Sequence, residues 1–238
     1  MTKATVSIII PAWNEAQRLP VTLKAIRKEM SRSRALPDFA ALAYEVIVVD
    51  DGSWDQTAES AVSWADKVVR HSRRMGKGAA LESGWRVAAG DTLLFLDADL
   101  GLSAKHYPHL LAPVLRREAD MVIARWSSSP GSGGFGFVRG LAARGVRLLT
   151  GCEPVSPLSG QRAVRRDALQ ALKRHYGGFG VEVGMLVDLL KLGFSVMETE
   201  VPFMHRETKR NWSGWLHRGR QFWSVGRVLW QCWRKPVC

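Results

Sequence analysis

The chain has 238 residues, of which 46% are hydrophobic and 24% charged, a composition typical of a folded globular protein and not of a disordered or collagen-like chain. Its three cysteines lack the spacing of a disulfide framework or a zinc site. The sequence contains neither a run of about 18 apolar residues nor a secretory signal pattern. We therefore expect a cytoplasmic protein that does not cross a bilayer.

Positive charge is concentrated in the second part of the chain. The formal net charge is +12, yet the first 100 residues carry 13 basic and 13 acidic side chains and are neutral. Such an asymmetry indicates a polyanionic partner. Nucleic acid, an anionic membrane surface and a phosphate-bearing substrate all fit this charge pattern.

Strands and helices alternate in the first half of the sequence. Short runs that are apolar on both faces favour buried strands of a parallel sheet, and in such sheets ligands bind at the carboxyl ends of the strands. We therefore predict a single α/β domain in which helices flank a mostly parallel central sheet. The predicted strands are 6–10, 45–49, 67–70 and 92–96, and the predicted helices are 20–30, 57–64 and 78–89.

The second half continues with fewer strands. We predict strands at 121–124 and 195–201 and helices at 138–149, 166–174 and 182–192. Residues 127–134 are rich in serine and glycine, and we interpret them as a substrate loop or lid, with a linker between domains as the alternative.

The C-terminal segment has a composition of its own. Residues 205–238 carry eight basic side chains against one acidic side chain, and they contain five of the ten tryptophans. Apolar residues recur there at three- and four-residue steps, so we predict a basic amphipathic helix with Trp223, Leu229 and Trp230 on its apolar face and Arg227 and Arg234 opposite. Such a helix suits the surface of an anionic membrane, while packing on the domain or on a second subunit is the alternative. We divide the chain into a domain at 1–211 and this helix at 212–238.

Two aspartates follow the fourth predicted strand directly. Asp97 and Asp99 form a D-x-D motif, in which two carboxylates point along one edge of the sheet. Hard cations such as Mg²⁺ or Mn²⁺ take a few protein oxygens together with substrate phosphates. We therefore predict a Mg²⁺ or Mn²⁺ site at this strand end.

Three further motifs are predicted at the same edge. Residues 11–15 end the first strand, residues 50–53 end the second, and Lys77 lies between two glycines before a helix. An aspartate at the second strand is suited to a ribose hydroxyl or a base edge, and a lysine to a phosphate. Each also has a structural interpretation: Asp50 as a turn cap, Lys77 as a solvated side chain and Glu15 as a helix start.

Taken together in this order, these motifs resemble the family 2 nucleotide-sugar glycosyltransferases of the GT-A fold, a Rossmann-like fold. The resemblance covers about residues 5 to 205. It implies that Ala12, Glu15 and Asp51 bind the base and ribose, that Lys77 and Asp97 lie near the nucleotide and sugar, and that Asp99 holds the metal. The substrate-binding residues that we expect on this basis are Pro11, Ala12, Glu15, Asp51, Lys77, Asp97 and Ala98, with Arg162 added below.

Two branches of that family share features with the second half. One comprises the polyprenyl-phosphate sugar synthases, and the other the glucosyl-3-phosphoglycerate synthases, which residues 157–163, 178–188 and 205–206 resemble more closely. This resemblance implies that His205 completes the metal shell.

Chemistry at the acceptor involves two more residues. Arg162 would grip an acceptor phosphate through its forked donors, with a solvated helix charge as the alternative. The expected catalytic residues are Asp97 and Glu182. Glu182 would act as a general base for a hydroxyl acceptor, and Asp188 is the other candidate for that base. The alternative role of Glu182 is a helix cap or a sugar contact.

We expect an enzyme that transfers a hexose, glucose by preference, from a UDP-sugar to polyprenyl phosphate at the inner face of the cell membrane. The alternative is a soluble retaining transferase for a small phosphorylated acceptor such as 3-phosphoglycerate. A basic nucleic-acid-binding protein is a distant third, because the sequence has no zinc spacing, RRM motif or helix-turn-helix pattern, and we expect no nucleic-acid partner. The sequence leaves open whether the protein forms a homodimer.

Overall fold

The computed structural model describes residues 5–125, 135–204 and 212–234. Seven strands form one sheet. They are β1 (Thr5–Ala12), β2 (Ala43–Asp50), β3 (Lys67–Arg70), β4 (Thr92–Phe95), β5 (Met121–Arg125), β6 (Arg162–Arg165) and β7 (Val196–Glu200).

The strand order is β3-β2-β1-β4-β6-β5-β7. All neighbours pair in parallel except β6, which runs antiparallel to both β4 and β5. Because β6 is reversed, its first residue, Arg162, pairs with Phe95 at the end of β4. The loop before β6 therefore reaches the same edge as the carboxyl ends of β1, β2 and β4.

Helices cover both faces of the sheet. Ile8 and Ile10 of β1 contribute to one buried cluster and Ile9 to the other, as expected for a strand buried on both sides. Two short 3₁₀ helices occur at Gly101–His106 and Gly178–Gly180. The α-helices are α1 (Leu19–Ser33), α2 (Thr57–Ala61), α3 (Lys77–Val87), α4 (Pro108–Leu115), α5 (Phe135–Thr150), α6 (Arg166–Ala171), α7 (Val181–Lys191) and α8 (Trp212–Arg234).

The predicted α/β class, mostly parallel sheet and C-terminal helix are confirmed, but strand β6, helix α4 and the two 3₁₀ helices were not predicted. Strand β6 has only four residues, with arginine at both ends, and it runs antiparallel to both of its neighbours, so neither an apolar run nor the regular alternation of strands and helices marks it. Helix α4 contains Pro113 in its interior and proline at its start. Because proline disfavours the interior of a helix, the sequence of this segment does not predict one. The predicted loop at 127–134 lies outside the described residues.

The orientation of α8 corrects the predicted apolar face. Val225, Val228 and Cys232 are buried. Trp223 and Trp230 are instead exposed, and they lie on the same side of the helix as Arg227 and Arg234. The cause is close approach to the start of α7: a Cβ on Gly180, just before α7, would lie 2.3 Å from Val228 Cγ2, and one on Gly184 of α7 would lie 2.9 Å from Val228 Cγ1. A tryptophan does not fit such a gap. Among the described helices, none is long and apolar enough to span a membrane.

Candidate active site

The polar strand ends meet at one edge, as the sequence predicts. Ala12 of β1 lies opposite Asp50 of β2 in the sheet register, and the backbone N–H of Asp51 donates to the Ala12 carbonyl at 2.9 Å. The N–H of Leu96, just before the D-x-D motif, donates to the carbonyl of Ile9. The loops after β1, β2 and β4 are thereby held side by side, with Pro11 half-buried and Ala98 buried at the ends of their strands.

Asp51 fixes the loop between β3 and α3. Its side chain is buried and accepts the backbone N–H groups of Met75 and Gly76 at 2.8 and 2.7 Å. Nδ1 of His71 lies 2.9 Å from Asp51 Oδ1, and Nε2 of the same ring lies 2.9 Å from Ser83 Oγ. The aspartate is therefore held from three sides beside a cleft of about 310 Å³ that is lined by Gly52 and His71, among others.

The loops after β1 and β2 clasp each other. Asn14 adopts a left-handed backbone with φ of 57°, its N–H donates to Ser53 Oγ, and its Oδ1 accepts the N–H of Trp54. The rings of Trp13 and Trp54 meet edge-to-face, with their centroids 5.0 Å apart. The guanidinium of Arg74 lies 3.5 Å from the Trp13 ring centroid. This aromatic and cationic wall borders the Asp51 loop.

Lys77 joins two carboxylates. Its ammonium lies 2.8 Å from Asp97 Oδ1 and 3.0 Å from Glu182 Oε1. Burial alone would lower the pKa of Lys77, but the two carboxylates raise it above its ordinary value. The ammonium is therefore a permanent cation at the ends of β4, α3 and α7, and the interpretation of Lys77 as a solvated side chain is wrong.

The loop before β6 closes over this ion pair. The side-chain amide of Gln161, which is fully buried, donates to Asp97 Oδ2 at 2.5 Å. A Cβ on Gly160 would lie only 2.4 Å from Lys77 Nζ and 3.1 Å from Asp97 Oδ1. The absence of a side chain at Gly160 is thus what lets the lysine and the aspartate meet.

Arg162 has a different role from the predicted one. It is 2% exposed, and its three guanidinium nitrogens donate to the backbone carbonyls of Ser159, Pro157 and Glu182 at 2.6 to 2.9 Å. Burial lowers the pKa of Arg162 to about 10, so it stays charged at neutral pH. The guanidinium ties the loop before β6 to the start of α7 instead of facing an acceptor phosphate.

Negative charge accumulates around Asp99. Burial raises the pKa of Glu15 above its ordinary value; Arg18 opposes this shift, and the charges of Asp99 and Asp55 add to it. Such a repulsive group of carboxylates is relieved by a cation. Among the described residues, no three His, Cys, Asp or Glu side chains converge on a common point suited to a metal ion, and His205 lies outside these residues. A divalent ion here would therefore depend on ligand oxygens from outside the described part of the chain, as Mg²⁺ commonly does with substrate phosphates.

Three residues of this site were not singled out from the sequence. Gln161 and Gly160 stand in the motif at residues 157–163, but only the reversal of β6 brings them to Asp97. His71 follows an exposed strand residue and gives no local signal. Its role depends on a contact 20 residues away in sequence.

The candidate base Asp188 lies in a separate buried group. Its Oδ2 accepts the hydroxyl of Tyr176 at 2.6 Å and pairs with Arg174 Nε at 3.2 Å. Burial, with Asp188 nearby, raises the pKa of Cys232 on α8 to about 12. Asp188 thus bridges α7 to its neighbours, whereas Glu182 alone of the two candidates contacts Lys77.

Comparisons with known proteins agree with this architecture. The family model described as glycosyl transferase family 2 matches residues 7–172. Glycosyltransferase AglD of Haloferax volcanii is 33% identical over 213 residues, which cover 82% of this chain and 32% of that protein. Glucosyl-3-phosphoglycerate synthase of Mycobacterium tuberculosis is 31% identical over 207 residues, which cover 77% of this chain and 60% of that protein. The matches thus span less than two thirds of these curated relatives.

Solved structures of the mycobacterial synthase are similar over nearly the whole chain. Its complex with Mg²⁺ and UDP superimposes with a TM-score of 0.76 at 27% identity, covering 95% of this chain and 78% of that one. Its complex with Mn²⁺, UDP-glucose and phosphoglyceric acid gives a TM-score of 0.73 at 27% identity, covering 95% and 80%. The predicted GT-A architecture is therefore confirmed.

Proposed function

The chain belongs to glycosyl transferase family 2, and on that premise we propose that it is a metal-dependent enzyme that transfers a hexose from a UDP-sugar to a phosphate-bearing acceptor. The observation that carries this proposal is the ionic group of Lys77, Asp97 and Glu182 beside Asp99. This group lies at the carboxyl edge of the sheet, where α/β folds bind nucleotides.

We assign binding of the donor nucleotide to the loops after β1 and β2. Asp51 is rigid because three donors hold it, so its carboxylate is fixed for a base or ribose without loss of side-chain freedom on binding. The indole N–H of Trp13 is buried and has no hydrogen-bond partner among the described residues, which leaves it a donor for the nucleotide. Ala12, Glu15 and Pro11 border the same loops and keep their proposed contacts.

The proposed metal ligands are Asp99 and His205, together with oxygens of the donor diphosphate. Asp97 is engaged by Lys77 and Gln161, so we assign it to the sugar and to the positioning of Lys77. A bound Mg²⁺ or Mn²⁺ would neutralise the charge that develops on the diphosphate as the bond to the anomeric carbon breaks. Mg²⁺- and Mn²⁺-bound complexes of the mycobacterial synthase support this choice of ion.

Lys77 supplies a second positive charge. The ammonium is fixed by two carboxylates before substrate arrives, and a preorganised charge costs no reorganisation when negative charge develops. Gly160 and Gln161 preserve this geometry. We propose that Lys77 stabilises the departing nucleotide while Asp97 contacts the sugar.

A small phosphorylated acceptor is one candidate. Phosphoglyceric acid occurs in complexes of the mycobacterial synthase, and the similarity extends over 95% of this chain. A hydroxyl group of such an acceptor has to lose a proton in an inverting reaction, and Glu182, which lies beside Lys77 at the strand ends, would accept it. A retaining outcome would need no such base.

Polyprenyl phosphate is the other candidate. The specific observation in its favour is α8, whose exposed tryptophans Trp223 and Trp230 stand among arginines. An acceptor phosphate is already anionic and needs no base, so Glu182 would then act only by holding Lys77. This candidate implies that the protein works at the inner face of the cell membrane.

The test is hexose transfer from radiolabelled UDP-glucose with Mg²⁺ or Mn²⁺, to polyprenyl phosphate in detergent and, separately, to 3-phosphoglycerate. We expect product with one acceptor, loss of product with EDTA, and loss with Asp99→Asn. The matched control is Asp167→Asn, an exposed carboxylate on α6 at the opposite edge of the sheet, which should leave transfer unchanged. Equal transfer by the Asp99→Asn variant would overturn the metal assignment, and the absence of transfer to both acceptors would overturn the acceptor class.

A further inference from the structure

Helices α5 and α8 together carry an exposed apolar surface. Phe137 and Leu148 of α5 are 85% and 87% exposed, and Trp223 and Trp233 of α8 are 80% and 70% exposed. Phe222 and Trp230 are exposed as well, and among the tryptophans whose side chains the structure describes, three of the four exposed ones lie on α8. Large apolar side chains concentrated in this way mark an interaction site. We call these six residues the α5–α8 surface.

The two helices are in direct contact, so their exposed residues belong to one face of the molecule. A Cβ on Gly145 of α5 would lie 2.3 Å from the side chain of Leu229 on α8. Phe222 and Trp233 lie seven and four residues from Leu229 along α8 and are thus near its α5 side, and Leu148 follows Gly145 of α5 by three residues. The apolar residues of α8 are therefore continuous with those of α5.

Charge decides which partner this surface fits. Helix α5 carries three arginines and α8 four, and neither contains a carboxylate. Arg227 and Arg234 are exposed and alternate with Trp223 and Trp230 at steps of four, three and four residues, and the Arg234 guanidinium lies 4.7 Å from the Trp230 ring centroid. The one ion pair of these helices among the described residues joins Arg147 to Glu153 at 3.4 Å, and both partners are exposed.

Alternating tryptophan and arginine suit an anionic lipid surface. The indole ring favours the headgroup level of a bilayer, and arginine pairs with lipid phosphate there. Two copies of this protein meeting through the same face would instead oppose arginine to arginine, which is unfavourable. We propose that the α5–α8 surface docks the protein onto an anionic bilayer, with α8 lying in the plane of the membrane.

Helix α7 connects this surface to the active site, because it contacts both α8 and Lys77. Glu182 in the first turn of α7 pairs with Lys77, while Gly180 and Gly184 of the same region pack against Val228 of α8. Helix α7 thus separates the reacting groups from the docking helix. This step rests on the proposed function: a docked enzyme would hold α7, and with it the Lys77–Glu182 pair, close to the bilayer that presents a lipid-borne phosphate.

The experiment is co-sedimentation of the full chain with vesicles of phosphatidylcholine and phosphatidylglycerol in equal proportion, and with vesicles of phosphatidylcholine alone. We expect binding to the anionic vesicles that weakens as salt shortens the screening length from about 10 Å at 0.1 M. Arg227→Gln combined with Arg234→Gln should weaken binding about 30-fold, since each arginine near an anionic leaflet strengthens it about fivefold. Trp223→Ser combined with Trp230→Ser should also weaken it.

Matched controls use the same residue types elsewhere on the surface. Trp54→Ser removes a tryptophan that is 78% exposed, and Arg86→Gln with Arg116→Gln removes two exposed arginines; these variants should bind the vesicles like the parent chain. Equal loss in the control variants, or no binding of the parent chain to anionic vesicles, would overturn the proposal. So would a concentration-dependent dimer in sedimentation velocity that the α8 variants abolish, because the surface would then join two copies.

This experiment is independent of the reaction. The vesicles contain neither donor sugar nor polyprenyl phosphate, so binding reports on the surface alone. Vesicle binding together with transfer to 3-phosphoglycerate only would uphold the docking surface and reject the lipid acceptor.

Discussion

Gly160→Ala tests the central ionic group with the smallest chemical change. The added methyl carbon would lie 2.4 Å from Lys77 Nζ, about 1 Å inside ordinary van der Waals contact. Lys77 is the flexible partner, so its ammonium must move away by about that distance. The contacts of 2.8 Å to Asp97 and 3.0 Å to Glu182 would then be broken or lengthened.

A displacement of about 1 Å at reacting groups costs about 100-fold in rate, equivalent to about 2.7 kcal/mol in transition-state stabilisation. Folding should suffer less, because Lys77 is partly exposed and its ammonium regains water. We expect the free energy of unfolding to fall by about 1 to 2 kcal/mol. The variant should therefore be folded and nearly inactive.

The assay is steady-state UDP release from UDP-glucose with Mg²⁺ and whichever of the two candidate acceptors supports transfer, alongside urea denaturation. The control is Gly177→Ala, since a Cβ at Gly177 meets nothing within 4 Å and its φ of −84° is ordinary for alanine; its kcat/KM should match that of the parent chain. Wild-type kcat/KM in Gly160→Ala would refute the assignment of Lys77. A loss of kcat/KM that merely tracks unfolding would refute it as well.

Three further outcomes follow from named contacts. Asp99→Asn should keep the fold and lose most metal-dependent turnover, because a neutral amide is a poor ligand for a hard cation; restored turnover at saturating Mn²⁺ would show only weakened metal affinity, while unchanged turnover at low Mn²⁺ would contradict the assignment. Asp51→Ala leaves two backbone N–H groups without their acceptor, so denaturation should show a loss of about 2 to 4 kcal/mol and calorimetry a loss of UDP affinity; an unchanged denaturation midpoint would count against this role. Burial alone would raise the pKa of Asp120, but hydrogen bonds from Ser195 and Arg165 bring it below 3.8. The stability that Asp120 adds is therefore fully present above pH 3.8 and is lost as the pH falls through its folded pKa, so the Tm advantage of the parent chain over Asp120→Asn should shrink on acidification, and a constant advantage would contradict the sign.

The first half of the fold was predictable because its strands have a recognisable local sequence pattern. A short and mostly apolar run such as residues 6–10 before Pro11, followed by polar groups, identifies a buried parallel strand and its ligand edge. The positions of Asp51, Lys77 and Asp97 at that edge follow from topology alone. The resemblance to known glycosyltransferases added roles that the pattern itself does not contain.

The second half was less predictable because its key contacts are long-range. Strand β6 is short and bounded by arginines, and one of them, Arg162, is buried only because three carbonyls from two loops converge on it. The predicted apolar face of α8 was wrong for a related reason: Gly180 and Gly184, at the start of α7, approach Val228 so closely that a large side chain does not fit there. Helical periodicity within α8 contains no information about those glycines.

Calorimetric titration of UDP-glucose into the full chain, with Mn²⁺ and then with EDTA, tests most directly whether the carboxyl edge of the sheet binds a UDP-sugar through a metal ion. We expect saturable binding that requires Mn²⁺, is lost in Asp99→Asn and is retained in Asp167→Asn. Binding of the same affinity in EDTA, or no binding with Mn²⁺ present, would contradict a metal-dependent UDP-sugar site at the carboxyl edge of this sheet.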